Sequence, residues 1–384
     1  GLAAEIVERA GGNPFFIEEL ARVASASADG RNLRGAVPAT VQAALEARMD
    51  RLPEGPRRTI ETAAVLGREV PLALLGRILG ASDDLADDLG ELLRQEFLHD
   101  QSGPPGPLYV FKHALTQEVA YSRLAEIERR RLHAAAGRVL EAMFAGRLHE
   151  AYDRLAFHYA RTDDTVKAVD YLLRFGESAA RSYALPEALQ AFDEAASQVE
   201  RLPAGPHRDR QAVQIAIAQA VPLMTAGRNG EARDRLIEKA ERVERIGDPS
   251  LAGPYYFVLA FTHDHLGEHE AGAVNAQRAL DEALCCGDRL TQGRAHFILA
   301  MGCFWTGRCE QGVSHAIEAT PLLDGTDEQF YLGLNLWILG HNLAVLGEFD
   351  GAEEAAARAR APGEAAGDPR SQCYGLLCRG WIRA

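Results

Sequence analysis

The spacing of apolar residues changes near the middle of the first half of the chain. Leu108–Phe111 is a short apolar run that follows a Gly/Pro-rich segment at 102–107, so it predicts a buried strand. Directly after it, Leu115 and Val119 lie four residues apart, and this helical spacing continues. His113 therefore lies where a strand ends and a helix begins.

Residues 53–112 have the order of elements expected for a winged helix, with three short helices followed by two strands and a turn-rich wing. The strands are predicted at 97–99 and 108–111. Proline, glycine and serine mark the predicted helix ends: Pro56 and Gly67 for the first helix, Pro71 and Gly80 for the second, and Ser82 for the start of the third.

A winged helix suggests DNA binding, but the charge of the third of these helices argues against this function. Five carboxylates are set against one arginine: Asp83, Asp84, Asp87, Asp88 and Glu91 against Arg94. The whole chain also carries a net charge of -14, and binding to nucleic acid draws mainly on basic surface. DNA is therefore not an expected partner.

From about residue 207 the chain repeats with a period of 40 residues. Glycines and other small residues keep this period: Gly227, Gly267, Gly307 and Gly347; Ala220, Ala260, Ala300 and Gly340; Ala232, Gly272, Gly312 and Ala352. Small residues allow two helices to cross closely, and glycine supplies the left-handed conformation that ends a helix. The pattern predicts a stack of helix-turn-helix units.

Aromatic and apolar residues recur on the first helix of each unit. If Ala260 marks the helix crossing, Phe257 and Asp264 lie on the concave face, and the period extends this face along the array. The predicted groove for an effector or partner comprises Phe257, Phe261, Phe297, Met301, Phe304, Trp337, His341 and Trp381. Core packing produces the same periodicity, so the exposure of Phe257, Phe297 and Trp337 has to decide between the two.

No catalytic set is apparent in the chain. None of Lys112, Lys167 and Lys239 follows a glycine as a P-loop lysine does, and neither H-E-x-x-H nor G-x-S-x-G occurs. A metal site at His263 and His265 is not favoured, because the repeat directs His263 and the intervening aspartate to different faces. We expect no enzymatic activity, metal or cofactor in this chain.

Other features of the sequence indicate the localisation of the protein and the state of its cysteines. No apolar run approaches the length of a membrane span and no signal peptide is apparent, so a cytoplasmic protein without membrane contacts is expected. The chain lacks an initiator Met and ends within a helical pattern, which is typical of a fragment. The cysteines lack C-x-x-C spacing and are predicted to be reduced packing residues: Cys285, Cys286, Cys303, Cys309, Cys373 and Cys378.

Two motifs and the repeat carry a resemblance to a known family. The repeat resembles tetratricopeptide-type units, and residues 12–16 (GNPFF) and 111–115 (FKHAL) are similar to the lid motif and winged-helix end of signal-transducing ATPases of the AAA-related STAND class. The chain resembles the C-terminal part of the bacterial members, including those attached to nucleotide cyclase or transcriptional-regulator domains.

This resemblance implies that a P-loop ATPase core, absent here, precedes the chain and binds ATP or ADP. In plant and animal relatives the histidine of a Met-His-Asp motif contacts the β-phosphate of ADP; His113 matches this histidine, whereas Lys112 and Ala114 replace its neighbours. Asn13, Pro14 and His113 would then form a nucleotide-sensing surface.

Together, pattern and resemblance predict an all-α chain with a small β wing. The domains are a helical lid (1–52), a winged helix (53–124), linking helical hairpins (125–206) and a tetratricopeptide-like α-solenoid (207–384). The predicted function is that of a regulatory sensor in a nucleotide-dependent signalling switch, whose solenoid binds a protein or small-molecule effector. The alternatives are a passive protein-protein interaction scaffold, and part of an ATP-dependent enzyme, such as a nucleotide cyclase regulator, whose catalytic domains lie elsewhere.

Overall fold

The structure is a computed structural model. It describes residues 16–18, 21, 40–80, 83–101, 103, 106–326, 329–366, 373, 376–377 and 379–381. Most of the predicted lid, including Asn13 and Pro14, lies outside these residues, and residues 16–18 are helical. The chain divides into two compact units between Tyr171 and Leu172.

The first unit combines helices with a small sheet. Its first elements are α1 (Val41–Asp50), α2 (Glu54–Leu66), β1 (Glu69–Pro71), α3 (Leu72–Leu79), α4 (Asp83–Arg94), β2 (Leu98–Asp100), β3 (Leu108–Phe111) and α5 (Ala114–Arg123). The strands are antiparallel with β3 in the centre, where Val70 pairs with Tyr109 and His99 pairs with Val110. This is the order predicted for a winged helix, with β1 added.

Local signals explain most of these bounds. Gly67 and Gly80 follow α2 and α3 with φ of 113° and 89°, a region that favours glycine. The predicted start of α2 at Pro56 was wrong, because Pro53 takes the N-cap position and the helix begins at Glu54. Strand β2 lies one residue later than predicted. Ser82 lies outside the described residues.

The core of this part is built from the apolar faces of the helices and the inner face of the sheet. Its fully buried large side chains are Leu45, Met49, Ile60, Leu75, Leu92, Phe97 and Phe111. They come from α1, α2, α3, α4, the residue before β2 and the end of β3, so the sheet is held by the same core as the helices.

The acidic face of α4 differs from the prediction at one residue. The Asp88 carboxylate accepts a 2.7 Å hydrogen bond from the hydroxyl of buried Thr59, so it faces α2 instead of solvent. Asp84 and Asp87 are exposed as expected. The helix presents fewer carboxylates to solvent than its sequence indicated, yet its exposed face stays acidic.

The remaining helices of the first unit are α6 (Glu126–Met143), a 3-10 turn at Leu148–Ala151, α7 (Tyr152–Tyr159) and α8 (Thr165–Arg181), which contains the division between the units. Lys167 donates hydrogen bonds of 2.8 Å to Glu141 and 3.1 Å to the Tyr159 hydroxyl. These contacts fix α6, α7 and the first half of α8 to one another.

The second unit is a tetratricopeptide-like α-solenoid. Its helices are α9 (Leu185–Val199), α10 (Pro206–Thr225), α11 (Asn229–Ile237), α12 (Ala240–Ile246), α13 (Pro249–His265), α14 (His269–Cys286), α15 (Arg289–Trp305), α16 (Cys309–Leu323), α17 (Gln329–Val345) and α18 (Phe349–Ala366). Each helix from α13 onward packs against the next along the chain. The predicted 40-residue unit is therefore confirmed as a helix pair.

The small residues of the repeat have the predicted role. The four turn glycines of the repeat have φ between 74° and 81°. A Cβ atom at Gly272 would lie 3.3 Å from the Ala260 carbonyl oxygen, and one at Gly312 would collide with the Asn342 side chain. Small side chains are thus required for close helix crossing, within a unit at Gly272 and between neighbouring units at Gly312.

The cysteine prediction holds for only part of the set. Cys303 and Cys309 are buried, whereas Cys285, Cys286 and Cys373 are exposed. Cys285 and Cys286 lie in the last turn of α14, and the apolar spacing did not reveal that they are exposed. Cys378 lies outside the described residues.

Within the described parts of the chain, no helix combines the length and the apolar character needed to span a bilayer.

Candidate functional site

A groove of about 390 Å³ opens between the first helices of three consecutive units, α13, α15 and α17. We call it the effector groove. It is lined by Phe261, Asp264, His265, Gly267, His269, Phe297, Met301, Trp305, Leu334 and Trp337. This volume lies within the range of small-ligand sites, roughly 300 to 1,000 Å³.

Apolar side chains form the floor of the groove. The ring of Phe261 lies 6.2 Å from that of Phe297, at an angle of 63°. Phe297 is fully buried, and Met301 is nearly so. These side chains belong to the main hydrophobic core of the solenoid, so the floor is rigid and pre-formed.

A polar chain of three side chains forms one wall. The Asp264 carboxylate, 8% exposed, accepts a 2.7 Å hydrogen bond from Nδ1 of His269. The imidazole of His269 stacks on Trp305, with ring centroids 5.4 Å apart and an angle of 13°. Burial raises the pKa of Asp264, and the hydrogen bond from His269 opposes this rise. The wall therefore offers a desolvated carboxylate beside an indole that is 54% exposed.

Four of the eight residues predicted for the groove line it: Phe261, Phe297, Met301 and Trp337. Phe257 and Phe297 were wrongly placed on an open face, because they are only 1% and 0% exposed, whereas Trp337 is half-buried. The ring of Tyr331 on α17 lies 5.4 Å from Phe257 on α13 and covers it. The inner helices thus meet at this level and close the predicted face.

The other three predicted residues form a neighbouring aromatic cluster. His341 stacks on Trp381 with centroids 4.7 Å apart, and Phe304 meets His341 edge-on at 5.6 Å. Trp337 joins this cluster to the groove, since its ring lies 4.7 Å from His341. Phe304, His341 and Trp381 do not line the groove itself.

Sequence reasoning placed Asp264 on this face but missed His269 and Trp305 as groove residues. Trp305 lies one period after His265, and both residues end the first helix of their unit. The 40-residue period could therefore have identified Trp305. His269 begins the second helix of its unit, so a search of first helices alone could not reach it.

The histidines considered for a metal have separate partners. His263 bonds Glu268 through Nδ1 at 2.6 Å, and Nδ1 of His265 donates to the Phe261 carbonyl at 2.9 Å. No group of three or more metal-ligating side chains comes together anywhere in the described ranges.

His113 takes the N-cap position of α5, directly after β3, with φ of -135° and ψ of 141°. Its side chain is half-buried and does not cap the helix. Its neighbour Lys112 forms ion pairs with Glu96 and, at 3.1 Å, with Glu18. The hydrogen bond to Glu96 raises the pKa of Lys112. Asn13 and Pro14 lie outside the described residues, so their position relative to His113 remains an expectation.

Several solved structures align with the chain. A STAND protein with a tetratricopeptide repeat sensor from Pyrococcus horikoshii aligns over 98% of this chain with 12% identity and a TM-score of 0.42, and the chain spans 59% of that protein. BtubC from P. vanneervenii aligns over 59% of this chain and 91% of its own, with 17% identity and a TM-score of 0.45. Aspartyl phosphate phosphatase F from Bacillus subtilis aligns over 100% and 94%, with 10% identity and a TM-score of 0.44.

No family model matches the sequence, and no curated protein matches it. Function is therefore argued from the geometry of the effector groove and from the sequence motifs.

Proposed function

We propose that the chain is a non-enzymatic sensor module of a nucleotide-dependent signalling switch, and that its solenoid binds an effector in the effector groove. The observation that carries the sensor role is the groove itself. It combines a buried apolar floor with a desolvated carboxylate, Asp264, and a largely exposed indole, Trp305. A groove of this kind has the composition of a binding site, with an apolar lining and few polar groups.

A role in packing alone explains the wall of Asp264, His269 and Trp305 less well than ligand binding does. A buried carboxylate is costly unless it is paired, and among the described residues Asp264 is paired on one side only, by His269. Trp305 leaves about half of its surface in solvent although it lies at the edge of a large core. Both costs would be offset by a ligand that covers the indole and pairs with the carboxylate.

The groove also lies where a ligand could change the shape of the array. In a solenoid each unit contacts only its neighbours, so curvature depends on the angle between adjacent units. A ligand held between α13, α15 and α17 would contact three units at once. Binding would therefore favour one curvature over others, which is the property a sensor needs.

The link to a nucleotide rests on the motifs at residues 12–16 and 111–115. In this proposal the lid and winged helix close over ATP or ADP held by an ATPase core outside the chain. Asn13, Pro14 and His113 form the sensing surface, with the His113 imidazole donating to a phosphate oxygen. Such a contact would couple nucleotide binding to closure by roughly 1 to 3 kcal/mol.

The test is the rate of ADP release from the whole protein, including its ATPase core. We expect His113→Ala to speed release about tenfold, since roughly 1.4 kcal/mol of coupling is lost. His99→Ala is the matched control, because His99 is exposed on β2 of the same sheet, and it should leave release unchanged. Equal release from His113→Ala and the unmodified protein would refute the switch and favour a passive scaffold.

A further inference from the structure

We propose that the effector groove selects a small organic cation: its ammonium group lies on Asp264 and its apolar body lies on Phe261 and Met301. This inference rests on the proposed function, because it names the class of ligand for the same groove. It follows from the charges, free acceptors and aromatic surfaces of the lining.

The lining residues contain one carboxylate and no lysine or arginine. Arg294, on the neighbouring turn of α15, stacks on the ring of Tyr331 at 4.9 Å and does not line the groove. Outside the lining, Arg233 pairs with Glu268 at 2.9 Å. Asp264 is therefore the only acidic side chain of the lining, and no lysine or arginine there offsets its charge.

One oxygen of Asp264 is already satisfied and the other is available. Oδ1 accepts the hydrogen bond from His269, which requires only the neutral tautomer with a proton on Nδ1. Within the described part of the chain, the second oxygen accepts no hydrogen bond. An ammonium group could supply this missing donor and a compensating charge at the same time. It would also oppose the effect of burial, which raises the pKa of Asp264.

Two indoles complete the recognition of a cation. Trp305 is largely exposed and Trp337 is half-buried, and both line the groove together with Asp264. A cation within about 6 Å of an indole face is attracted by the ring, most strongly when it is partly desolvated. A neutral ligand would leave the buried carboxylate half-paired, and an anion would be repelled by it.

The volume of the groove favours a small molecule over a long segment. About 390 Å³ lies near the lower end of the range for small-ligand sites. An aromatic or branched alkyl group on a short ammonium-bearing chain has a suitable size. A lysine side chain from a protein partner shares this chemistry, so the experiment has to separate the two.

The experiment is a calorimetric titration of the protein with three matched probes at about pH 8, where an ordinary imidazole is neutral. The probes are 2-phenylethylammonium, 2-phenylethanol and 3-phenylpropanoate, which share an aromatic ring and differ in charge. We expect the ammonium probe to bind about tenfold more tightly than the alcohol, through a charge-assisted hydrogen bond and cation–π contact. The carboxylate probe should not bind.

The decisive variant is Asp264→Asn, which keeps the acceptor for His269 and removes the charge. It should lower the affinity for the ammonium probe about tenfold, to the level of the alcohol, and leave the alcohol unaffected. Glu268→Gln is the control, because Glu268 is an exposed carboxylate outside the lining. A thermal melt of each variant checks that the solenoid stays folded.

Three outcomes would overturn the inference: no binding of the ammonium probe, equal binding of ammonium and alcohol, or full cation preference in Asp264→Asn. Equal binding would still leave the groove as a ligand site, and the ADP-release experiment is independent of all three. A peptide, acetyl-Leu-Lys-Leu-amide, separates the sources. If this peptide displaces the ammonium probe and binds much more tightly than the probe does, the ligand is a protein partner. This result would overturn the proposal of a small molecule.

Discussion

His133 and His158 form a buried imidazole pair in the first unit. They are 0% and 2% exposed, and their Nδ1 atoms lie 2.9 Å apart. The hydroxyl of Tyr121 lies 3.0 Å from Nε2 of His133. Burial lowers the pKa of His133 to about 3 and that of His158 to about 4, and the nearby Arg161 guanidinium contributes to both shifts. Both imidazoles are therefore neutral in the folded chain at neutral pH.

This pair predicts acid sensitivity of the first unit. The folded pKa values are depressed, so unfolded histidines, with pKa near 6.5, take up protons that the folded pair excludes. The stability is fully present above about pH 6.5 and is lost as pH falls toward the folded values of about 4 and about 3. With two protons involved, the slope approaches about 2.7 kcal/mol per pH unit between these limits.

Urea unfolding at several pH values measures this slope. His149→Gln is the control, because His149 is exposed in the same unit, and it should leave the slope unchanged. His158→Gln should roughly halve it, since one depressed imidazole is removed. The urea concentration at the midpoint of unfolding of the first unit should decrease from about pH 7 to about pH 5. An unchanged midpoint would contradict the assignment.

Helix crossings set the architecture at the scale of elements. Gly312 on α16 faces Asn342 on α17, which is fully buried and donates a 2.9 Å hydrogen bond to the Ile338 carbonyl. A methyl group at position 312 would occupy the space of the Asn342 amide. Buried polar groups that lose their hydrogen bonds are costly.

We therefore expect Gly312→Ala to destabilise the solenoid by about 1 to 3 kcal/mol. Gly230→Ala is the matched control, because it also lies in a helix, α11, and a Cβ atom there meets nothing within 4 Å. The control should be neutral or slightly stabilising. Thermal or urea unfolding of both variants provides the comparison, and equal stability of the two would contradict the close-crossing role.

The sequence predicted helices and strands well where a single local residue, such as a glycine, determines where the element ends. The turn glycines and the small crossing residues give the helix pairs of the solenoid, because each acts through its own backbone or contact. Strand β1 (Glu69–Pro71) could not be predicted, since three residues show no alternation and the strand exists through pairing with β3. The exposed Cys285 and Cys286 were missed because helical spacing alone does not give the phase of a helix.

In the effector groove, too, the sequence predicted features that depend on local spacing and missed those that depend on contacts between distant units. The period predicted which face of α13, α15 and α17 carries aromatic and apolar residues, and four of these residues line the groove. Burial of Phe257 depends on Tyr331, two units away in sequence. Such a contact follows from the curvature of the array, which a periodic pattern does not contain.

At the scale of the whole molecule, the groove is the central claim, since both the sensor role and the ligand class depend on it. The protein has three tryptophans, and they report on different places. Trp305 and Trp337 line the groove, whereas Trp381 is stacked on His341 outside it. A ligand in the groove must therefore affect the first two more than the third.

The most direct measurement is fluorine NMR of protein labelled with 5-fluorotryptophan, with resonances assigned by tryptophan-to-phenylalanine variants. During titration with 2-phenylethylammonium, the resonances of Trp305 and Trp337 should move together along one binding curve, while that of Trp381 moves much less. Movement of Trp381 alone, or no movement of Trp305 and Trp337 at saturating probe, would show that the groove is packing surface and not a binding site.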